Sequence, residues 1–264
     1  MHPIITLTTD FGIKDPFIGI MKGVILNICP KATIVDLNNS IAPQNLLQTS
    51  YVLKTSVSYF PKNTIHVAVV DPEVGTNRKC LAIKTDKFFF VGPDNGIFSP
   101  FFKNFKAVEL TNQDIFIKPI SSTFHGRDIF APTAAWLAKG KSFEKLGKIL
   151  KKPVTLDFPK PKFIGGCLKG EIIHRDHFGN LISNISKGLI SKYLGDNFIN
   201  IKAYLKDQRA IPLVSNYTFG FRNSPAALIN SWEQVEVFCK EGNASKVFKI
   251  LVGDSIQISR NQKR

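Results

Sequence analysis

The sequence predicts an α/β N-terminal domain, a mostly parallel sheet with flanking helices, followed by a small C-terminal antiparallel β-barrel domain. Three observations carry this reading. Strand-like and helix-like patterns alternate up to Lys152, a proline-rich stretch from Pro153 to Lys162 interrupts them, and short alternating segments separated by turn residues follow.

The N-terminal strands are short β-branched or aromatic runs of the kind buried in parallel sheets: Ile4 to Thr9, Thr33 to Asp36, Ile65 to Val70, Leu81 to Thr85 and Phe88 to Val91. Between the first two, Asp15 to Cys29 sets Phe17, Met21, Val24, Ile25 and Ile28 on one helical face, and Pro30 stops the helix. Asn45 to Phe60 repeats the device with Leu46, Leu47, Leu53 and Val57 ahead of Pro61, and a third helix is predicted from Asp128 to Lys139 before Gly140. Three prolines in Pro153 to Lys162 read as an extended linker, giving domains 1–155 and 156–264. Seven short strands follow: Gly170 to His174, Leu181 to Ile185, Phe198 to Leu205, Ala210 to Val214, Ala227 to Ser231, Val235 to Phe238 and Ser255 to Ile258. One helix, Lys187 to Leu194, accompanies them.

Composition narrows the class. At 264 residues, 44% hydrophobic and 21% charged, the chain has the balance of a globular protein. No apolar run is long enough to span a bilayer, so no membrane partner is expected, and Met-His-Pro leads into a strand rather than a signal-type core. The four cysteines, Cys29, Cys80, Cys167 and Cys239, have neither Cys-x-x-Cys nor zinc spacing and read as reduced thiols of a cytoplasmic protein. A net charge of +15 invites a nucleic-acid reading, but only seven of the 35 basic residues are arginine and the lysines are scattered; a solvated lysine-rich surface accounts for it.

Acids collect where the predicted strands end. In open parallel sheets ligands bind beyond the carboxyl ends of the strands. Three strands end there in an acid and a glycine turn: Thr9-Asp10-Phe11-Gly12, Val70-Asp71-Pro72-Glu73-Val74-Gly75 and Gly92-Pro93-Asp94-Asn95-Gly96. Each taken singly is an ordinary Asx turn. Three on one edge require a metal, a cationic ligand or nearby Arg and His. Spacing for a metal is absent, a cationic ligand stays open, and Arg78 and His125 are the basic groups in suggestive places. In the second domain, Asp176-His177-Phe178-Gly179-Asn180 joins two strands and reads equally as a hairpin turn.

These strings, with Thr76 and Arg78, His125-Gly126-Arg127-Asp128 and Asn230-Ser231, occur in an order that resembles the S-adenosyl-L-methionine (SAM) hydroxide adenosyltransferases, relatives of the fluorinases and chlorinases. The resemblance covers nearly the whole chain. It implies the same two domains, a homotrimer with substrate held between one subunit's N-domain and a neighbour's C-domain, no cofactor, and hydrolysis of SAM to adenosine and L-methionine. The family's catalytic Asp-Arg-His set falls on Asp71, Arg78 and His125. Its substrate contacts fall on Asp10 for the ribose hydroxyls, Asp15 for the methionine end, and Asp94 and Phe124 nearby. In the second domain they fall on Asp176 for the amino-acid part, Phe178 and Asn180 for adenine, Tyr217 packing on adenine, and Ser231 near the methionine carboxylate.

Beside Arg78, Asp71 is expected to have a lowered pKa and to be a poor base, leaving the proton's destination open. The fluorinase branch carries Tyr and Ser at the Asp71 and Gly126 positions, so the resemblance favours water over halide as nucleophile. Glu73 and Glu233 stand where the family usually has glycine; a left-handed backbone at such a position costs about 1–2 kcal/mol. Two other readings accompany this one: a nucleoside-binding protein without turnover, and a basic nucleic-acid binder using Phe178, Tyr204, Tyr217 and Phe219.

Overall fold

The computed structural model describes residues 2–205 and 210–260. They form two compact units that divide between Leu156 and Asp157. In the first, the elements run β1 (Ile4–Thr9), α1 (Phe17–Ile28), β2 (Thr33–Asn38), α2 (Leu46–Ser56), β3 (Ile65–Val69), β4 (Cys80–Lys84), β5 (Phe89–Pro93), β6 (Lys106–Leu110), α3 (Ala131–Ala138) and β7 (Gly147–Ile149). The sheet order is β2-β1-β3-β5-β4-β6-β7. Pairings among β2, β1, β3 and β5 are parallel, and those of β4, β6 and β7 are antiparallel, so the sheet is mixed. The antiparallel part arises because Leu81–Thr85 and Phe88–Val91 are too close for a crossover and close as a hairpin, with Thr85 N–H bonded to the Phe88 carbonyl.

Alternation along each strand divides its side chains between two cores. Ile5, Leu7, Val67, Val69, Ala82 and Val91 pack with α1 and α3. Ala68, Leu81, Ile83 and Phe90 face the other way, against Leu53 of α2, Phe98 and the partly buried Phe101 and Phe105. α1 buries Ile18, Met21 and Ile25. α2 starts at Asn45, whose side chain accepts the Gln48 N–H. The third helix is preceded by a π-turn, Gly126–Phe130, so the helical path begins two residues before the expected Asp128 and carries His125 at its head.

The second unit holds β8 (Lys162–Ile164), β9 (Cys167–Arg175), β10 (Leu181–Ser186), α4 (Lys187–Leu194), β11 (Ile201–Leu205), β12 (Ala210–Pro212), β13 (Pro225–Ile229), β14 (Gln234–Cys239), α5 (Ala244–Phe248) and β15 (Ser255–Arg260). Its sheet runs β12-β11-β15-β9-β10-β14-β13, with β8 on β9. A bridge between Leu213 and Ala227 links the two ends and nearly closes the barrel. The short α5 joins the expected α4, its N-terminus capped by Asn243. Leu168, Ile172, Leu181, Ile185, Val235, Val237, Ile256 and Ile258 fill the interior.

Of the two glutamates at glycine positions, Glu233 carries the backbone penalty, with φ 58°, whereas Glu73 is not among the residues with positive φ. Glu233 closes the β13–β14 turn, where its N–H meets the Asn230 carbonyl and its own carbonyl accepts the Lys187 N–H. Its carboxylate also forms an exposed ion pair with Lys187 at 3.5 Å. Glu233→Gly should therefore raise the unfolding free energy by about 0.5–1 kcal/mol, the relieved strain less the added freedom of the unfolded chain. Urea denaturation checks this, and an unchanged or lower midpoint would show that the turn is unstrained.

Candidate active site

Thr9 pairs with Val69, so Asp10 and Asp71 leave the sheet from neighbouring strands at the same edge. Asp71 opens the β3–β4 connection, which turns back so that Arg78 meets it. Gly75 makes that turn possible: its φ is +82°, and a Cβ there would lie 2.3 Å from the Ser122 carbonyl oxygen.

Arg78 is the centre of the site. Its Nε donates to Asp71 Oδ1 at 3.1 Å and its Nη2 to Oδ2, a two-pronged pair. The same Nη2 donates to His125 Nδ1 at 2.9 Å, and Nη1 donates to the Lys79 carbonyl and to Cys80 Sγ, each at 3.1 Å. A guanidinium has five N–H groups, and all five are engaged. Phe130 lies under its face at 5.6 Å. The side chains are 2% and 5% exposed for Arg78 and Asp71, so the pair is desolvated.

Burial corrects the expected titration. The Asp71 carboxyl is pushed up from its ordinary value because desolvation outweighs the opposing pull of Arg78 and His125. Exposure of the side chain, which decides this sign, is not visible in the residue order. Burial and the Arg78 charge hold His125 below the ordinary histidine value. Arginine cannot accept, so Nδ1 of His125 must, which leaves the neutral ring with its proton on Nε2.

The other predicted residues group around this chain to different degrees. Asp10 accepts the Gln44 N–H at 2.8 Å. Phe124 packs edge-on with Phe11 and Phe17, centroids 6.0 and 5.4 Å away, forming an apolar wall beside His125. Asp15 is exposed. Asp94 is 6% exposed, but one oxygen already accepts the Val154 N–H at 2.8 Å. With Arg78 and the exposed Glu73 and Lys152 it lines a cleft of about 550 Å³.

The second unit carries a cleft of about 620 Å³ lined by Asp176, Phe178, Asn180, Tyr217 and Phe238. Asp176 ties the β9–β10 turn by accepting the Asn180 backbone N–H at 2.7 Å, so the hairpin reading of this string holds too. Gly179, φ +88°, sits against Asn243 there and admits no side chain. Phe178 is 73% exposed and offers its ring freely. Ser231 lies exposed in the β13–β14 turn, outside the cleft lining.

Two residues at these sites escape the sequence reading. Cys80 Sγ completes the Arg78 shell and lies 3.9 Å from His125 Nδ1; burial pushes its thiol up, so it stays protonated. Glu236 is 3% exposed and accepts from Tyr217 and Asn230. Its signal was present: a lone acid within the apolar run of Val235, Val237 and Phe238.

An Asp–Arg–His chain at the carboxyl edge of an α/β sheet and an aromatic cleft in a β-barrel are the candidate functional parts of the two units. The chain belongs to the SAM hydroxide adenosyltransferase family, whose N-terminal domain model matches residues 5–147 and whose C-terminal domain model matches residues 170–257. It is 37% identical to an (R)-S-adenosyl-L-methionine hydrolase of Methanocaldococcus jannaschii, covering 97% of this chain and 95% of that one. It is 32% identical to another of that name from Salinispora tropica, covering 97% and 98%, and 23% identical to a fluorinase of Actinopolyspora mzabensis, covering 98% of each. A crystal structure of an uncharacterized conserved protein from Thermotoga maritima matches with a TM-score of 0.91 and 32% identity, covering 97% of this chain and all of that one.

The His125 geometry predicts a neutral ring protonated on Nε2 at neutral pH, titrating below 6.5. Long-range proton–nitrogen NMR checks both; a proton on Nδ1, or a midpoint above 6.5, would contradict the Arg78 bond.

Proposed function

We propose that this chain hydrolyses SAM, in the (R) form named for its relatives, to adenosine and L-methionine by attack of water on ribose C5′. The observation that carries the reading is the Arg78 guanidinium with every donor committed, holding a buried carboxylate and a neutral imidazole together. Such a group has nothing left to give a ligand. Its work is to fix Asp71 and His125.

The reaction needs one water held in line, about 3–3.5 Å from C5′. His125 Nε2–H donates to the water oxygen and Asp71 accepts a proton from it. The carboxyl raised by burial suits that task better than an ordinary aspartate. The new O–C5′ bond forms as the C5′–S bond breaks, its electron pair stays on sulfur, and methionine departs as a neutral thioether without needing an acid. The water's proton passes through Asp71 to solvent. Asp10 takes the ribose hydroxyls, Phe124 and Asp94 border the sugar, and Asp15, Asp176 and Ser231 serve the methionine part. Phe178, Asn180 and Tyr217 hold adenine. No cofactor takes part, and the four unpaired cysteines agree with a cytoplasmic enzyme. Among the described residues no helix is long and apolar enough to cross a membrane.

Chromatography after incubation with SAM should show adenosine and methionine in equal amounts, and no 5′-halo-5′-deoxyadenosine in chloride or fluoride. Asp71→Asn should lower kcat at least about 100-fold by removing the proton acceptor. Arg78→Lys should lower kcat/KM about 10- to 100-fold, the worth of a charge-assisted hydrogen bond in orienting the pair. Because Asp71 must be ionised and His125 neutral, activity falls on acidification. The Asp71 limb lies above the ordinary 3.8, and activity persists through neutral pH. Wild-type turnover by Asp71→Asn would overturn the assignment.

The proposed substrate contacts are divided between the two units, and we assign the active form as a homotrimer, each substrate served by the first unit of one subunit and the second of a neighbour. Sedimentation should give three times 29.5 kDa. Mixing Asp71→Asn with Asn180→Ala subunits should restore turnover that neither has alone; a monomer that hydrolyses SAM would refute this arrangement.

A further inference from the structure

The connection that carries Asp71 and Arg78 leaves the sheet after Val70 and returns to it at Lys79, and one turn holds both junctions. The Asn95 side-chain amide donates to the Val70 carbonyl at 2.9 Å in a buried bond. The neighbouring Asp94 backbone N–H donates to the Lys79 carbonyl at 2.9 Å, the same oxygen that takes Arg78 Nη1 at 3.1 Å. Asp94 and Asn95 thus grip the loop at its neck, one residue from each charged side chain.

The first junction lies past the end of the strand. The ladders of β3 with β1 and β5 end at Val69 and Val67, and Val70 follows them fully buried. A carbonyl in so dry a place needs a donor. Asn95, itself 6% exposed, supplies one, and its own oxygen turns the other way, toward the Ile97 N–H at 3.4 Å. The far side of the same turn fastens the end of the first unit. There Asp94 Oδ1 accepts the Val154 N–H at 2.8 Å and Ser99 Oγ accepts the Leu156 N–H at 2.9 Å. Ser99 Oγ also donates to the Gly96 carbonyl at 2.6 Å. Ser99 therefore braces the turn without touching the loop, and Asn95 joins the turn to it.

We propose that Asn95 is a positioning residue for the Asp71–Arg78–His125 chain: by fixing the Val70 carbonyl it sets where the Asp71 carboxylate emerges. The inference rests on reading that chain as the machinery of SAM hydrolysis. The Val70 carbonyl and the Asp71 N–H belong to one planar peptide unit, so a tilt of the first redirects the Asp71 side chain. Arg78 holds Asp71 by two prongs and reaches His125 with one of the same nitrogens, so a displaced carboxylate displaces the imidazole's partner too.

Comparing Asn95→Ala with Ser99→Ala in the full-length enzyme separates positioning from support of the turn. Asn95→Ala should lower kcat about 10- to 100-fold and move KM for SAM less than about 3-fold, as misplacement of reacting groups does. Ser99→Ala should unfold in less urea and keep wild-type kcat. Water admitted to the loosened pair returns the Asp71 carboxyl toward its ordinary value, so the acid limb of kcat in Asn95→Ala should move to lower pH. A third readout needs no turnover: with burial and the Arg78 charge both relaxed, the His125 midpoint should rise toward 6.5 by NMR. Wild-type kcat, acid limb and His125 midpoint in folded Asn95→Ala overturn the inference, and so does an equal loss of kcat in Ser99→Ala. If Asn95→Ala does not fold, Asn95→Asp keeps the shape without the donor, and wild-type kcat there overturns it as well. A freely exchanging Asn95 side-chain amide in the wild type does so without any variant. If the wild type does not consume SAM, the hydrolase reading falls while the His125 midpoint still decides the role of Asn95.

Discussion

The buried ion pair between Arg78 and Asp71 is the constraint on which the geometry of the first unit's candidate site depends. Removing two charges from water costs several kcal/mol each, and their attraction repays it only where the remaining donors and acceptors are met. Here they are met by the Lys79 carbonyl, the Cys80 thiol and the His125 ring. The loop between β3 and β4 must therefore fold back on itself, and Gly75, pressed against the Ser122 carbonyl, is what lets it. His125 in turn must arrive at the head of the π-turn, where its ring reaches the guanidinium. A pair of this kind is a poor way to gain stability. Its geometry makes sense as a device for orienting two side chains at once.

Charge is organised on two scales that point in opposite directions. The chain as a whole carries +15, spread over lysines on the surface. The substrate proposed for it is a cation. At physiological ionic strength the field of surface charges is screened over about 8 Å, so it reaches little into a cleft. The candidate substrate contacts are acids: Asp10 and Asp71 at the sheet edge, and Asp176 in the second unit. Acids at least half-buried, and so less screened than the surface lysines, set the local sign, and a count over the chain does not reveal it.

The elements legible in the sequence are those whose burial pattern is local. β1, β3, α1 and α4 follow from periodicity and their stops, and the acids Asp10, Asp71 and Asp94 from their place at strand ends. β6, with Lys106 and Glu109 in a five-residue run, alternates too weakly to stand out, and β7 and β8 are three residues each. The antiparallel turn of β4 against β5 is a matter of loop length rather than strand composition. The sign of the Asp71 shift depends on how much solvent reaches it, which no motif encodes. The same holds for Glu73 and Glu233: both replace a usual glycine, and only the backbone angle separates the free substitution from the strained one. Cys80 and Glu236 lie inside apolar strands, where a thiol or a lone acid reads as packing until its partners are known.

For the proposed reaction, polarity also bears on the choice of nucleophile. An attacking halide is an anion and needs donors around it, but Asp71 presents a carboxylate and Arg78 has no proton to spare. At Gly126 a side chain would begin 3.2 Å from Met21 Sδ and 3.3 Å from Phe124, so the position offers a tight apolar corner in place of a hydroxyl. Water has the opposite requirement. It is neutral, it needs an acceptor to take a proton as charge develops on its oxygen, and it needs one donor to hold it. A carboxylate raised by burial and an imidazole with its proton on Nε2 supply that combination. On the proposed reading, the charge at position 71 is what favours water over an anion as nucleophile.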